Sequence, residues 1–140
     1  YPDAERGYVQ ALAAFLFEHQ PEPLAIEHTV GSVTHGYAGR YDLRARIGER
    51  VGLLDAKTSK RVYPESHFPQ LEAYEAAAVE CGAEPTDFRA VLRLGADGKY
   101  ELAESYASFE EFLGIKAAYD ALKRIKAARP SKRKARAVAA

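Results

Sequence analysis

The chain has 140 residues, 47% of them hydrophobic, and balances 20 Lys and Arg against 20 Asp and Glu for a formal net charge of +0. That length and apolar content suit one domain burying about two thirds of the surface its unfolded chain exposes, and no apolar run approaches the ~20 residues a membrane-spanning helix needs. Cys81 is the single cysteine, which excludes an internal disulfide, a zinc ribbon and an iron-sulfur cluster held by this chain's own thiolates, and suits a reducing compartment.

Asp3 is placed to cap a helix over about Ala4 to His19, with Val9, Leu12, Ala13, Phe15, Leu16 and Phe17 as a broad apolar side and Pro21 and Pro23 as its stop. Leu24 to Val30 alternates as a strand does, and Gly31-Ser32 predicts a break before a second strand, Tyr37 to Ile47. In that strand Tyr37, Tyr41, Leu43, Ala45 and Ile47 fall on one face, and Arg40, Asp42, Arg44 and Arg46 on the other. Gly48-Glu49-Arg50 turns the chain into a third strand, Val51 to Lys57, completing an antiparallel meander. After a loop from Thr58 to Glu65, Ser66 is the expected cap of a helix reaching about Cys81, with Pro69 in its first turn and Gly82 at its end. Phe88 to Leu94 and Lys99 to Tyr106 form a hairpin around Gly95-Ala96-Asp97-Gly98. Ser108 caps a last helix with Phe109, Phe112, Leu113, Lys116, Tyr119, Leu122 and Ile125 on or near one side, ending before Pro130. The order α-β-β-β-α-β-β-α predicts an α/β sandwich around one central mixed sheet.

The end of the chain breaks the charge balance. All 20 acidic residues lie at or before Asp120, whereas Lys123, Arg124, Lys126, Arg129, Lys132, Arg133, Lys134 and Arg136 follow it, leaving 12 bases against 20 acids in the body. A basic end suits a polyanion such as nucleic acid, because phosphate contacts release counterions; a solvated, disordered tail over residues 129–140 is equally compatible. With no Met anywhere and Tyr1 at its start, the chain reads as a fragment or trimmed product missing an upstream segment.

Chemistry concentrates on the second and third strands. Asp55 and Lys57 are two apart, so they share a face, and Asp42 comes from the polar side of the strand before. Two aspartates on neighbouring strands suit Mg²⁺ or Mn²⁺, which take oxygen ligands and leave room for water and substrate phosphate. Such an ion serves phosphodiester hydrolysis by activating water and screening charge at phosphorus, with Lys57 orienting the nucleophile or stabilising that charge. An Asp-Ala-Lys triplet alone is also compatible with a surface salt bridge. The four histidines, His19, His28, His35 and His67, show no metal-ligand spacing, and His67 is read as an exposed loop residue.

Three runs, Gly39-Arg40-Tyr41-Asp42, Leu53-Leu54-Asp55-Ala56-Lys57-Thr58-Ser59-Lys60 and Gln70-Leu71-Glu72-Ala73-Tyr74, together resemble the RecB-like branch of the PD-(D/E)XK nucleases. The resemblance is densest from Glu27 to Cys81, and it rests on the order and short spacing of motifs that are individually weak. It implies a restriction-endonuclease-like core over residues 1–128 and a metal-dependent deoxyribonuclease of the phage or bacterial exonuclease type, active on DNA in the cytoplasm during recombination, repair or phage replication. By the same resemblance Asp42, Asp55 and the Ala56 carbonyl are Mg²⁺ or Mn²⁺ ligands and Lys57 is the catalytic lysine. Gln70 and Tyr74 brace the metal centre or touch DNA, with Thr58, Arg40 and Lys60 as further supports. Relatives bring another acid or a histidine from a preceding helix; Glu5, and less directly Glu27 on the first strand, are the candidates, although a solvated surface carboxylate is the better description of both and the missing upstream segment is an alternative source of that group. No iron-sulfur subtype fits one cysteine, and without a Gly-x-x-x-x-Gly-Lys loop any unwinding falls to a helicase or recombination partner. Arg40, Arg44 and Arg46 beside Asp42, with Lys60 and Arg61, would make a positive rim. Tyr37, Tyr41 and Tyr63 would stack on bases if exposed; core packing is the simpler reading. A structure-selective endonuclease and a non-catalytic DNA-binding module of the same fold remain open alternatives.

Overall fold

Alternating side chains on the third of five strands set the layering: Leu53 packs into one hydrophobic cluster and Leu54 into another on the opposite face. In the computed structural model, which describes residues 3–130, the elements are α1 (Asp3–His19), β1 (Glu22–Ser32), β2 (Tyr37–Ile47), β3 (Arg50–Lys57), α2 (Pro64–Glu80), β4 (Phe88–Leu94), β5 (Tyr100–Glu104) and α3 (Phe109–Ala127). Of the basic tail expected over residues 129–140, Arg129 and Pro130 are exposed, and residues 131–140 lie outside the described residues. The strands form one sheet in the order β1-β2-β3-β4-β5. β1, β2 and β3 are antiparallel, β3 and β4 are parallel across the α2 connection, and β4 and β5 close as a hairpin. A mixed sheet flanked by helices in this order is consistent with a restriction-endonuclease-like core.

On one face α2 supplies Phe68, Leu71, Ala77 and Ala78 against Val30, Tyr41, Leu53 and Val91. On the other, α1 supplies Ala11 and Phe15 against Leu54, Leu92 and Leu94. β3 and β4 are therefore covered on both sides, and their continuous apolar runs follow from that position. Arg89 of β4 ties α2 down further, 3.2 Å from Glu72 and 3.6 Å from Glu75, while Glu75 accepts the Thr86 hydroxyl at 2.8 Å. Among the described residues no helix is long and apolar enough to cross a membrane.

Local details depart from expectation where distant groups intervene. Gly31 and Ser32 continue β1, and the turn is Val33 to Gly36. Glu80 at the end of α2 holds it, accepting the Ser32 hydroxyl and the Val33 N–H, each at 2.8 Å, and the Ser32 bond leads the donors that keep its carboxyl below the usual range. Helix α2 begins at Pro64, not after Ser66, because the Tyr63 carbonyl takes the Ser66 and His67 N–H groups at 3.1 and 2.8 Å. Proline suits that first position, where its fixed φ is already helical. Pro69 consequently sits inside the helix, where it is tolerated although it leaves the Glu65 carbonyl without its N–H donor. At α3 the expected cap is present as a reciprocal box: the Glu111 N–H donates to the Ser108 hydroxyl at 3.1 Å, and the Ser108 N–H to the Glu111 carboxylate at 2.9 Å. None of the α3 residues is buried, however, so the expected core stripe of this helix faces largely outward.

Candidate active site

The site begins where two strands part. β2 and β3 pair from Ile47 opposite Arg50 only as far as Leu43 opposite Leu54. Beyond that point β2 stays with β1, and Asp55, Ala56 and Lys57 pair with Val91, Leu92 and Arg93 of β4. Asp42 is the first β2 residue past the last shared pair, and its carboxylate replaces the missing ladder by accepting the Ala56 N–H at 2.7 Å. In an extended strand the N–H and C=O of one residue face the same neighbour, so the Ala56 carbonyl opens toward the same gap.

The pleat also changes phase here. Tyr41 packs on the α2 side and Leu43 on the α1 side, although they are two residues apart. On β1, Ala25 packs on the α2 side, and three residues later His28 lies against Tyr41 with ring centroids 5.8 Å apart. Glu27 and Asp42 fall at this irregularity, between the pairs Ile26–Leu43 and His28–Tyr41, and Glu27 takes a φ of 48° that non-glycine residues rarely adopt. One consequence corrects the sequence reading: Arg40, Asp42, Arg44 and Arg46 do not share one face. Past the irregularity Arg44 lies on the α2 side, where its guanidinium donates to the Glu84 carbonyl at 2.6 Å, while Arg40 remains exposed in the earlier phase. A period of two holds only along an unbroken pleat.

The charged groups expected to converge do so. Asp55 is 6% exposed, and its Oδ2 lies 2.9 Å from the Lys57 Nζ, which donates to the Gln70 Oε1 at 3.1 Å. Burial pushes the Asp55 carboxyl up to about 6; the bond from Lys57 opposes that rise, and the adjoining Asp42 carboxylate adds to it by hydrogen bonding and repulsion. Tyr74, one turn beyond Gln70, lays its ring over Gly39, where any Cβ would collide with it. Its hydroxyl is raised by burial and then by the charges of Asp55 and Asp42. The glycine and the tyrosine of two separate sequence motifs are thus halves of one contact.

His67 is half-buried rather than an exposed loop residue. Its Nδ1 accepts the Tyr63 N–H at 3.1 Å, its ring meets Tyr63 edge-on at 5.5 Å, and burial together with the Lys57 charge lowers its pKa. His67, Gln70 and Tyr74 are spaced three and four apart, which puts them on one face of α2; that spacing was the available signal. Thr58 and Lys60 are exposed and border a cavity of 310 Å³ with Tyr8 and Arg93. Glu5 is exposed on the first turns of α1. Glu27, also exposed, shares a 440 Å³ cavity with Asp42 and Ala56, roofed by Leu12 and Leu16. Among the described residues no three His, Cys, Asp or Glu side chains form a metal-binding group, so neither Glu5 nor Glu27 completes one with Asp42 and Asp55. Tyr37 is tied to the Ala73 carbonyl at 2.7 Å, and Tyr41 is buried, so neither ring is free for a base. Two carboxylates and a carbonyl are hard oxygen donors, a set that fits Mg²⁺ or Mn²⁺ with water completing the shell.

No family model matches the chain, and no curated protein matches it. Among solved structures, the crystal structure of SSO0001 is similar with a TM-score of 0.46 at 14% identity, covering 83% of this chain. The chain spans 56% of the length of that one.

Two outcomes follow from this geometry. Gly39→Ala drives a methyl into the Tyr74 ring and is expected to cost about 1–3 kcal/mol; Tyr74→Ala in the same chain should recover part of that loss, so a double-mutant cycle by urea denaturation should show a non-additive pair. Because the folded pKa of Asp55 is raised from 3.8 to about 6, the folded state binds the extra proton between those values. The contribution of Asp55 to stability is therefore complete below about 4 and is lost as pH rises through about 6, amounting to up to about 3 kcal/mol. Metal-free Asp55→Asn should accordingly be more stable than the parent at pH 7.5, with the difference shrinking toward pH 4; thermal melts across that range measure it.

Proposed function

We propose that this chain is a Mg²⁺- or Mn²⁺-dependent deoxyribonuclease of the RecB-like PD-(D/E)XK type, working as an exonuclease in DNA recombination, repair or phage replication. The observation that carries the reading is the meeting of Asp42, Asp55 and Lys57 where β2 and β3 part, with the Lys57 Nζ 2.9 Å from Asp55. Support also comes from Gln70 and Tyr74, which belong to a third motif and reach the same place.

Asp42, Asp55 and the Ala56 carbonyl would hold the cation. When bound, it supplies an activated water and screens the charge that builds at phosphorus. Burial of Asp55 and its closeness to Asp42 make the metal-free carboxylates mutually unfavourable, so a cation gains affinity from relieving that repulsion. Lys57 carries three donor hydrogens; Gln70 accepts one and Asp55 another, which fixes the ammonium group and leaves one donor for a phosphoryl oxygen. Its role is to neutralise charge on that oxygen, an effect worth about 10²–10³ in rate when such a donor is removed. Tyr74 positions, since its ring fills the space over Gly39 beside both carboxylates. DNA is the substrate in this reading, with unwinding supplied by a partner protein.

The test is digestion of end-labelled linear DNA with Mg²⁺ or Mn²⁺, against EDTA and against covalently closed circles. Linear DNA should be degraded only with metal, circles should persist, and Asp55→Asn and Lys57→Ala should slow digestion by about 100-fold or more. Variants that digest at the parental rate would sink the assignment, whereas circles cut as fast as linear DNA would make the enzyme an endonuclease.

A further inference from the structure

Helix α3 is 19 residues long and buries none of them. Only its first turns are seated: Phe109 and Phe112 stack on each other at 5.9 Å and approach the Tyr37 ring at 6.4 and 5.0 Å. Beyond them Ile115 is 51% exposed, Tyr119 64%, Leu122 68% and Ile125 58%. Ile115, Ala118, Leu122 and Ile125 recur at intervals of three and four, the a and d spacing of a helix that packs along a partner helix. A helix whose purpose was only to close the chain would have no need of aliphatic side chains at those positions.

We propose that α3 is the interface of a homodimer in which the helices of two copies pair antiparallel. The choice of a second copy rests on charge. α3 opens with Glu110 and Glu111 and closes with Lys123, Arg124 and Lys126, followed by Arg129. The apolar seam lies between an acidic end and a basic end, so the face that complements it is the same face turned end for end. A parallel pair would set like charges together. With the two-fold axis near Asp120, Ile115 meets Ile125 of the second copy, small Ala118 meets large Leu122, and Glu111 meets Arg129. Self-complementarity of this kind is the defining property of a two-fold interface. The proposal does not depend on the nuclease reading.

Sedimentation equilibrium and light scattering of the 140-residue chain, up to about 300 µM where a micromolar interface is saturated, should report twice the monomer mass of 15.4 kDa. Leu122→Glu, at an exposed position, should return the monomer with an unchanged circular dichroism spectrum. Phe17→Glu on α1, 80% exposed, should leave the dimer intact. In Cys81→Ala protein, a spin label at position 127 should lie about 20 Å farther along the helix axis from its mate than one at position 120, since each label is seven residues from the axis at 1.5 Å per residue. A chain that stays monomeric at the highest concentration, a dimer indifferent to Leu122→Glu, or equal spacings at both labels would each overturn the proposal.

Discussion

Everything at the candidate site depends on β2 leaving β3 before either strand ends. A sheet normally hides its backbone groups in a ladder, and an interruption strands donors that are costly when unpaired. Asp42 resolves that cost by lending its carboxylate to the Ala56 N–H. The same bond fixes one carboxylate against the β3 backbone, next to the side chain of Asp55, without either residue having to sit on a loop. Groups held on strands keep their positions more closely than groups on loops. The gap is therefore both an opening and a rigid frame, and the irregularity at Glu27 on β1 is its counterpart on the far side of β2.

The electrostatics follow from that frame. Asp55 is drawn into the core end of β3, where its charge is poorly hydrated, and Asp42 beside it makes ionisation harder still. Lys57 offsets part of this through a 2.9 Å contact, and Gln70 holds the lysine in turn. With both carboxylates ionised and Lys57 protonated, the cluster keeps one negative charge in excess; a divalent ion would reverse that sign, which is what attraction of a phosphodiester requires. In the proposed chemistry the folded protein carries the unfavourable arrangement in advance, and the cation converts it into binding.

The element order, the boundaries of β2, the Ser108 cap and the meeting of Asp42, Asp55 and Lys57 were legible in the sequence, because each depends on neighbours within a few residues or on short strand-to-strand spacing. The phase change at Asp42 was not. Counting in twos along Tyr37 to Ile47 puts Tyr41 with Leu43, whereas the structure separates them: the β1–β2 register is the same on either side of Glu27 and Asp42, and strand periodicity carries no mark of a backbone that turns out of the pleat, as Glu27 does with its φ of 48°. The turn after β1 escaped for a different reason: it is organised by Glu80, 48 residues from Ser32 in the chain. The start of α2 at Pro64 shows two valid signals in competition, a proline preset for the first helical position and a serine suited to a cap, and the proline wins because the Tyr63 carbonyl collects the first amides. For α3 the apolar stripe was visible, but amphipathicity says that a face seeks cover without saying what provides it.

The path from α3 to the carboxylates is short. Phe109 and Phe112 rest on Tyr37, whose hydroxyl donates to the Ala73 carbonyl, and Ala73 precedes the tyrosine that covers Gly39. The start of β2, the middle of α2 and the first turns of α3 thus converge on one aromatic side chain, itself so enclosed that its hydroxyl is pushed up to about 12, chiefly by burial. Whatever holds α3 in place holds Tyr37 in place, and with it the register between Gly39 and Tyr74. The helix contributes no group to the site and buries none of its own residues, yet it stiffens the contact that positions the tyrosine beside Asp42 and Asp55.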